Sequence, residues 1–225
     1  MRNKKKKKYN KFFSYIGQDR SDRNFSYKDF SYSESYNTRF TRSRFMGNDF
    51  HRAHIKYCGF NGCIFKFVEF KSVNFRGCRF MGATFENVVF DNCSLSKTHF
   101  KGAKFKNVYF VNTGIKQVYG LNVDDIKIVN EKKIEIELER DLQETIKACE
   151  KNEYIVKSKT IVSSGGKINK LSIKRLLDVY EEKVIINALQ MAIKGIDKEF
   201  SSLSYFVPYL ERAKKNEASS ECVSR

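Results

Sequence analysis

The chain has no tryptophan, a single proline and three histidines among 225 residues. Acidic side chains are also scarce, 26 against 43 Lys and Arg, which leaves a formal net charge of +17. Each shortage excludes something. No apolar run approaches the ~18–20 residues that cross a bilayer as a helix, so no membrane-spanning helix is expected. The first residues are basic, but "YNKFFSYIGQDR" supplies neither an apolar core nor a small-residue cleavage site. A secretory signal is therefore not expected, and the cytoplasm is the expected location. His51, His54 and His99 have no ligand partners at metal spacing, and nothing between 25 and 119 offers a nucleophile with a base beside it. No metal, cofactor or enzymatic activity is expected.

Phenylalanine is abundant, and it is placed by number. From 25 to 115 every fifth position is Phe, Ile or Leu except Ser35. The rings are Phe25, Phe30, Phe40, Phe45, Phe50, Phe60, Phe65, Phe70, Phe75, Phe80, Phe85, Phe90, Phe100, Phe105 and Phe110, with Ile55, Leu95 and Ile115 completing the series. Two residues before most of them stands a small or β-branched residue, such as Ser43, Ala53, Cys58, Val68, Cys78, Thr98 or Thr113. Two residues after them Gly and Asn recur, at Gly47, Gly62, Gly77, Gly82, Asn87, Asn92, Gly102, Asn107 and Asn112, where a backbone bend is expected. A period of five fits neither the 3.6 of a helix nor the 2 of a strand. It calls for a repeat architecture in which each short unit buries its ring only by stacking on neighbours.

Units such as "ATFEN", "GCIFK" and "AKFKN" resemble the pentapeptide-repeat family. The resemblance covers about 95 residues and implies a mainly β fold, a right-handed quadrilateral β-solenoid with four units per coil, so that residues twenty apart stack. Nineteen units make just under five coils. The expected divisions are a basic arm without fixed structure at 1–24, the solenoid at 25–119, a cap helix with linker or hairpin at 120–170, a small α-helical domain at 171–215 and a tail at 216–225. Phe12, Phe13, Tyr15 and Ile16 are candidates to cover the open first coil. Arg23 and Lys28 fall at inward positions where charge is costly to bury, so the orderly stack is expected to begin near Thr38. Four of the six cysteines, Cys58, Cys63, Cys78 and Cys93, fall at the small inward position and are read as buried, reduced thiols.

Charge is uneven along the chain. Residues 1–24 hold nine Lys or Arg against two acids, 25–116 fifteen against six, and 117–225 nineteen against eighteen. The excess lies on the arm and the solenoid, which makes Lys4, Lys5, Lys6, Lys7 and Lys8 candidates for binding a polyanion. By the twenty-residue rule the face of Phe60 adds Arg39, Arg42, Arg79 and Lys101 with no acid. The face of Ile55 adds Lys56, Arg76, Lys97 and Lys116 against Glu34, and the face of Phe45 adds Arg44, Lys66, Lys104 and Lys106 against Glu86, so three sides are expected to be basic. The face of Phe50 is acidic, with Asp29, Asp49, Glu69 and Asp91 outnumbering Arg52 and Lys71. Tyr27, Tyr32, Tyr36, Tyr57, Phe67 and Tyr109 are read as outward aromatics that could stack on bases.

Beyond Gly120 the register breaks. "VDDIKIVNEKKIEIELER" suggests a terminal strand or hairpin, and Leu138, Leu142, Ile146 and Cys149 recur at helical spacing. "YIVKSKTIVSSGGKINK" is read as two short β runs with a turn at Ser163 to Gly166. The order helix, "EEKVIINALQMAIKG", then "SYFVPYLERAK" resembles the small helical module of bacterial replication-initiation proteins over about 45 residues. A helical cap or a homodimer contact is the plainer reading of these helices.

Three functions remain open. The first is a non-enzymatic scaffold whose basic arm and faces engage nucleic acid or another acidic partner. The second, implied by the family resemblance, is protection of a DNA topoisomerase from quinolones or toxins. Such relatives resemble DNA in shape and negative charge, and this chain carries the opposite sign. The third is a structural role through the C-terminal helices.

Overall fold

A computed structural model describes residues 12–130 and 133–223, with side chains through 219. The described chain divides into two compact units at Val129 and Asn130. The first is a right-handed quadrilateral β-solenoid of about six turns, and helices follow it in the second.

Residues twenty apart pair in parallel on every wall of the solenoid. Arg44–Met46, Ile64–Lys66, Thr84–Glu86 and Lys104–Lys106 form one four-stranded ladder, with Phe45, Phe65, Phe85 and Phe105 in register. On the next wall Glu69–Lys71, Val89–Asp91, Tyr109–Val111 and Lys127–Val129 stack likewise. The last of these is the terminal strand expected after the register break, and it pairs at a step of eighteen rather than twenty. Tyr15–Ile16, Glu34–Tyr36 and His54–Lys56 make a third ladder, continued by bridges to Asn74 and Ser94. The fourth wall is a ladder of single bridges through Asp19, Arg39, Gly59, Arg79, His99 and Tyr119.

Inside, the rings form columns. Phe40, Phe60, Phe80 and Phe100 stack with centroids 4.9–5.1 Å apart and planes within 10°. Rings of adjoining columns meet edge to face, as Phe65 and Phe70 do at 5.6 Å and 70°. Both geometries suit the ring quadrupole, and each buried Phe contributes about 1.5–3 kcal/mol. Phe45, Phe50, Phe60, Phe65, Phe70, Phe75, Phe80, Phe85, Phe90, Phe100 and Phe110 are all fully buried, whereas Phe105 is only partly so.

At each corner the residue two places after the ring adopts positive φ, from Gly17 through Gln117. The expected Gly and Asn positions all do so, but so do Tyr27, Tyr32, Arg42, Tyr57 and Phe67. The inward small residue has a second task at the corner. Thr38, Ser43, Asn48, Cys63, Cys78, Cys93, Thr98 and Thr113 each donate a side-chain hydrogen bond to the carbonyl of the residue twenty-three places earlier. These bonds tie each corner to the coil before it, and the carbonyls of Phe25, Phe40 and Phe75 also accept the backbone N–H three residues on, from Lys28, Ser43 and Cys78.

The stack begins earlier than the inward charges suggest. Tyr15 pairs with Ser35, Asp19 with Arg39 and Asn24 with Arg44. Arg23 and Lys28 sit in the first described coil and are exposed, with no described coil below to enclose them. The ring missing at Ser35 is supplied by Tyr15, whose centroid lies 5.8 Å from that of Phe40 and 6.3 Å from that of Phe25. Phe13 covers Phe30 at 4.8 Å, while Phe12 and Ile16 remain exposed. The solenoid therefore exceeds the just under five coils expected, because residues 13–24 belong to it.

The second unit contains α1 (Arg140–Ala148), α2 (Glu153–Ser158), α3 (Lys170–Leu177), α4 (Glu182–Gly195) and α5 (Val207–Val223). α4 is its centre, packed by α1, α3 and α5. Leu142 and Ile146 of α1, Ile185 and Leu189 of α4, and Leu210 of α5 are buried. Residues 154–158 are helical rather than the β run expected. Asn152 caps them by accepting from Tyr154 and Ile155, and its amide donates to the carbonyls of Ile193 and Ile196 at the end of α4. That capping overrides the β-branched composition. The turn at Ser163 to Gly166 joins the short antiparallel pair Val162–Ser163 and Lys167–Ile168. Pro208 falls in the first turn of α5, where a missing N–H costs nothing. α5 runs past the start of the tail expected at 216.

Candidate nucleic-acid interface

Because position modulo twenty decides the wall, the candidate cations can be placed one by one. Arg39, Arg79 and Lys101 lie on the Phe60 wall, with Arg42 on its far corner. Lys56 and Arg76 lie on the Ile55 wall, and Lys97 on the corner that the two walls share. Lys4 to Lys8 lie outside the described residues.

The Phe60 wall is not free of acid, as the first coil adds Asp19 and Asp22. Arg39 Nη2 donates to Asp19 Oδ2 at 2.8 Å. Arg42 binds Asp22 through Nε at 2.8 Å and Nη2 at 2.7 Å. Hydrogen bonds from Ser21, and then the Arg39 charge, hold the Asp19 carboxyl below its ordinary value. Asp22 is lowered chiefly by its bond from Arg42, whose own pKa is raised by the same contact. Two of the candidate arginines are thus already neutralised.

Arg76, Arg79, Lys97 and Lys101 are exposed and Lys56 is half-buried. None of the five forms an ion pair with a described residue. Tyr36 and Tyr57 stand among them. Tyr36 pairs in register with Lys56, and the rings of Tyr36 and Tyr57 meet edge to face at 5.5 Å and 74°. Tyr57 lies over Gly77 so closely that a Cβ there would come within 2.5 Å of the ring. On the Phe60 wall His99 stacks on Tyr119 at 4.7 Å.

Of the other outward aromatics, Tyr27 and Tyr32 are exposed and Phe67 is half-buried, but Tyr109 is buried. Lys127 of the terminal strand holds its ammonium 4.8 Å from the Tyr109 ring centre, which takes that ring out of any binding surface. Asp29, Asp49 and Glu69 form a column on the Phe50 wall. His51 on that wall has a lowered pKa, owing to burial and to Arg52 and Lys71. Among the described residues no three His, Cys, Asp or Glu side chains come together as a metal site. Burial pushes the Cys63 and Cys93 thiols up to about 12. No helix among the described residues is long and apolar enough to cross a membrane.

Two contributors were hidden from sequence reading. Asp19 and Asp22 fell in what looked like an arm, although counting back twenty from Arg39 and Arg42 would have found them. The closeness of Tyr57 to Gly77 follows from the same count.

Residues 53–122 match the family described as Pentapeptide repeat region, and that segment is a pentapeptide-repeat solenoid. Among solved structures the chain is similar to a pentapeptide repeat protein from the Arabidopsis thaliana thylakoid lumen, at 15% identity and a TM-score of 0.39 over 74% of this chain and 89% of that one. A pentapeptide repeat protein, Rfr23, from the cyanobacterium Cyanothece 51142 aligns at 10% identity and a TM-score of 0.37, over 51% and 86%. QnrB1, a plasmid-mediated fluoroquinolone resistance protein, aligns at 12% identity and a TM-score of 0.23, over 53% and 92%. No curated protein matches the sequence.

Proposed function

We propose that this protein is a non-enzymatic, cytoplasmic scaffold that binds a polyanion through two adjacent walls of its solenoid, those of Ile55 and Phe60. The observation that carries this reading is the contrast along one surface. Arg39 and Arg42 are matched by Asp19 and Asp22, whereas Lys56, Arg76, Arg79, Lys97 and Lys101 have no acidic partner among the described residues. Five unmatched cations on adjoining walls concentrate positive potential that a phosphate backbone would neutralise with release of counterions. Lys4 to Lys8 add a sequence-independent electrostatic tether. The test is the affinity of the full chain for nucleic acid as salt is varied. Binding in the micromolar range or tighter, with log K falling by about 0.7–0.9 per phosphate contact for each decade of salt, is expected. No binding at low salt would overturn the proposal.

A second reading rests on the opposite sign. The column Asp29, Asp49 and Glu69, with Asp91 beside it, offers an acidic surface to a basic protein such as a DNA topoisomerase. Expression should then raise quinolone tolerance above that of an empty vector, and D49N/E69Q should abolish the gain. A structural role through dimerising helices predicts a dimer by light scattering.

A further inference from the structure

Tyrosine at a corner of this solenoid is costly. The corner requires positive φ, 55° at Tyr57, a conformation that Gly and Asn accept and a bulky side chain resists by ~1–2 kcal/mol. The ring gains little core burial in return, since it stays 43% exposed, and Tyr36 beside it stays 52% exposed. Yet the position of Tyr57 is closely defined. Gly77 in the next coil provides the bare backbone on which the ring rests, and Tyr36 abuts it from the coil before. Lys56 lies in register with Tyr36, and Arg76 follows one coil on. The backbone N–H of Tyr57 donates to the Arg76 carbonyl at 3.0 Å, and Lys97 occupies the same corner two coils above Tyr57. Glu34 and His54, paired in register on this wall, are both exposed.

From this arrangement we infer that the polyanion is a single-stranded nucleic acid, held by Lys56, Arg76 and Lys97 on its phosphates and by Tyr36 and Tyr57 stacked against its bases. The inference rests on the polyanion reading above and narrows it. Cations alone would serve a duplex, a polysulfated sugar or an acidic protein equally. Exposed rings held in place add something only for a ligand with exposed flat faces, and bases offer those when unpaired. Stacking of this kind is tolerant of sequence, so the site discriminates strandedness rather than base identity.

The absence of tryptophan supplies a direct reporter, because the ultraviolet emission of this protein comes from tyrosine. The full-length protein is titrated with a 20-nucleotide oligo(dT), the equivalent RNA, a matched duplex and heparin, which carries anionic groups but no bases. The expected result is single-strand binding at least ten-fold tighter than duplex binding, accompanied by quenching of tyrosine emission. The double substitution Y36S/Y57N keeps a residue suited to positive φ at position 57. It should lower single-strand affinity by on the order of ten- to a hundred-fold, remove the quenching and leave heparin affinity unchanged. Equal loss for heparin and oligo(dT), or no loss for either, overturns the stacking site while leaving the polyanion reading intact. Tighter binding to the duplex than to the single strands also overturns it. Failure to bind heparin and every nucleic acid at low salt overturns both.

Discussion

The two compact units encode their structure in different ways. In the solenoid a residue's number decides its wall, its burial and its backbone conformation. Phe65 is shelved between Phe45 and Phe85 because each stands twenty residues away. In the helical unit the equivalent choice is spread over many weak signals, and Leu189 is buried because it lies on one stripe of α4 with Ile185, Ala188 and Ala192. A rigid repeat thus frees its outward positions from any duty to the core. The solenoid surface can carry a set of cations without changing the fold, which is why the electrostatic contrast between its walls is informative.

This comparison can be broken in graded steps. The largest effect should come from the core. Phe65→Ala removes a ring that touches its neighbours above, below and beside it, and should cost the solenoid about 3–5 kcal/mol in urea unfolding. Leu189→Ala, at the centre of the helical unit, should cost about 2–5 kcal/mol. A loss under 1 kcal/mol for Phe65→Ala would contradict the stacked core.

Corner substitutions come next. Gly82 and Gly77 share positive φ, but a Cβ at Gly82 meets open space and one at Gly77 meets the Tyr57 ring. Gly82→Ala should cost about 1 kcal/mol from backbone strain alone, and Gly77→Ala about 2–3 kcal/mol. Combining Gly77→Ala with Tyr57→Asn should recover the difference, and equal costs at the two glycines would show that the ring does not rest there.

The smallest effect tests the corner carbonyls. Thr98→Val keeps shape but removes the bond to the Phe75 carbonyl, for about 1 kcal/mol by thermal or urea unfolding. The isosteric change Val73→Thr should be no gain unless its hydroxyl finds the carbonyl of Phe50, which the twenty-three-residue rule places in reach.

The period of five makes the rings, the walls and most corners legible in the sequence. The ends of the stack were harder to read, because physical enclosure ceases there. Arg23 and Lys28 look forbidden at inward positions only if a coil is assumed beneath them, and that assumption hid the first coil and with it Asp19 and Asp22. Tyr109 was misjudged for a similar reason. Its outward position is that of an exposed residue by register, but the terminal strand with Lys127 pairs beside it out of the twenty-residue step. In the helical unit the apolar stripes of α1 and α4 were plain, whereas α2 was hidden because its helix is set by the cap at Asn152 and not by periodicity. The candidate cations could be assigned to walls from sequence, but their pairing with acids could not until the first coil was placed.

The central claim is that the unmatched cations on the Ile55 and Phe60 walls, and not positive charge in general, bind the polyanion. The most direct test compares two five-fold Gln variants of the full chain with equal loss of charge. One replaces Lys56, Arg76, Arg79, Lys97 and Lys101, and the other replaces Lys147, Lys159, Lys174, Lys194 and Lys214 in the helical unit. For oligo(dT) binding across a salt series, the first should lower affinity by about a hundred-fold or more and flatten the salt slope by roughly 3–4, while the second changes neither by more than about three-fold. Equal weakening by the two variants would contradict the account.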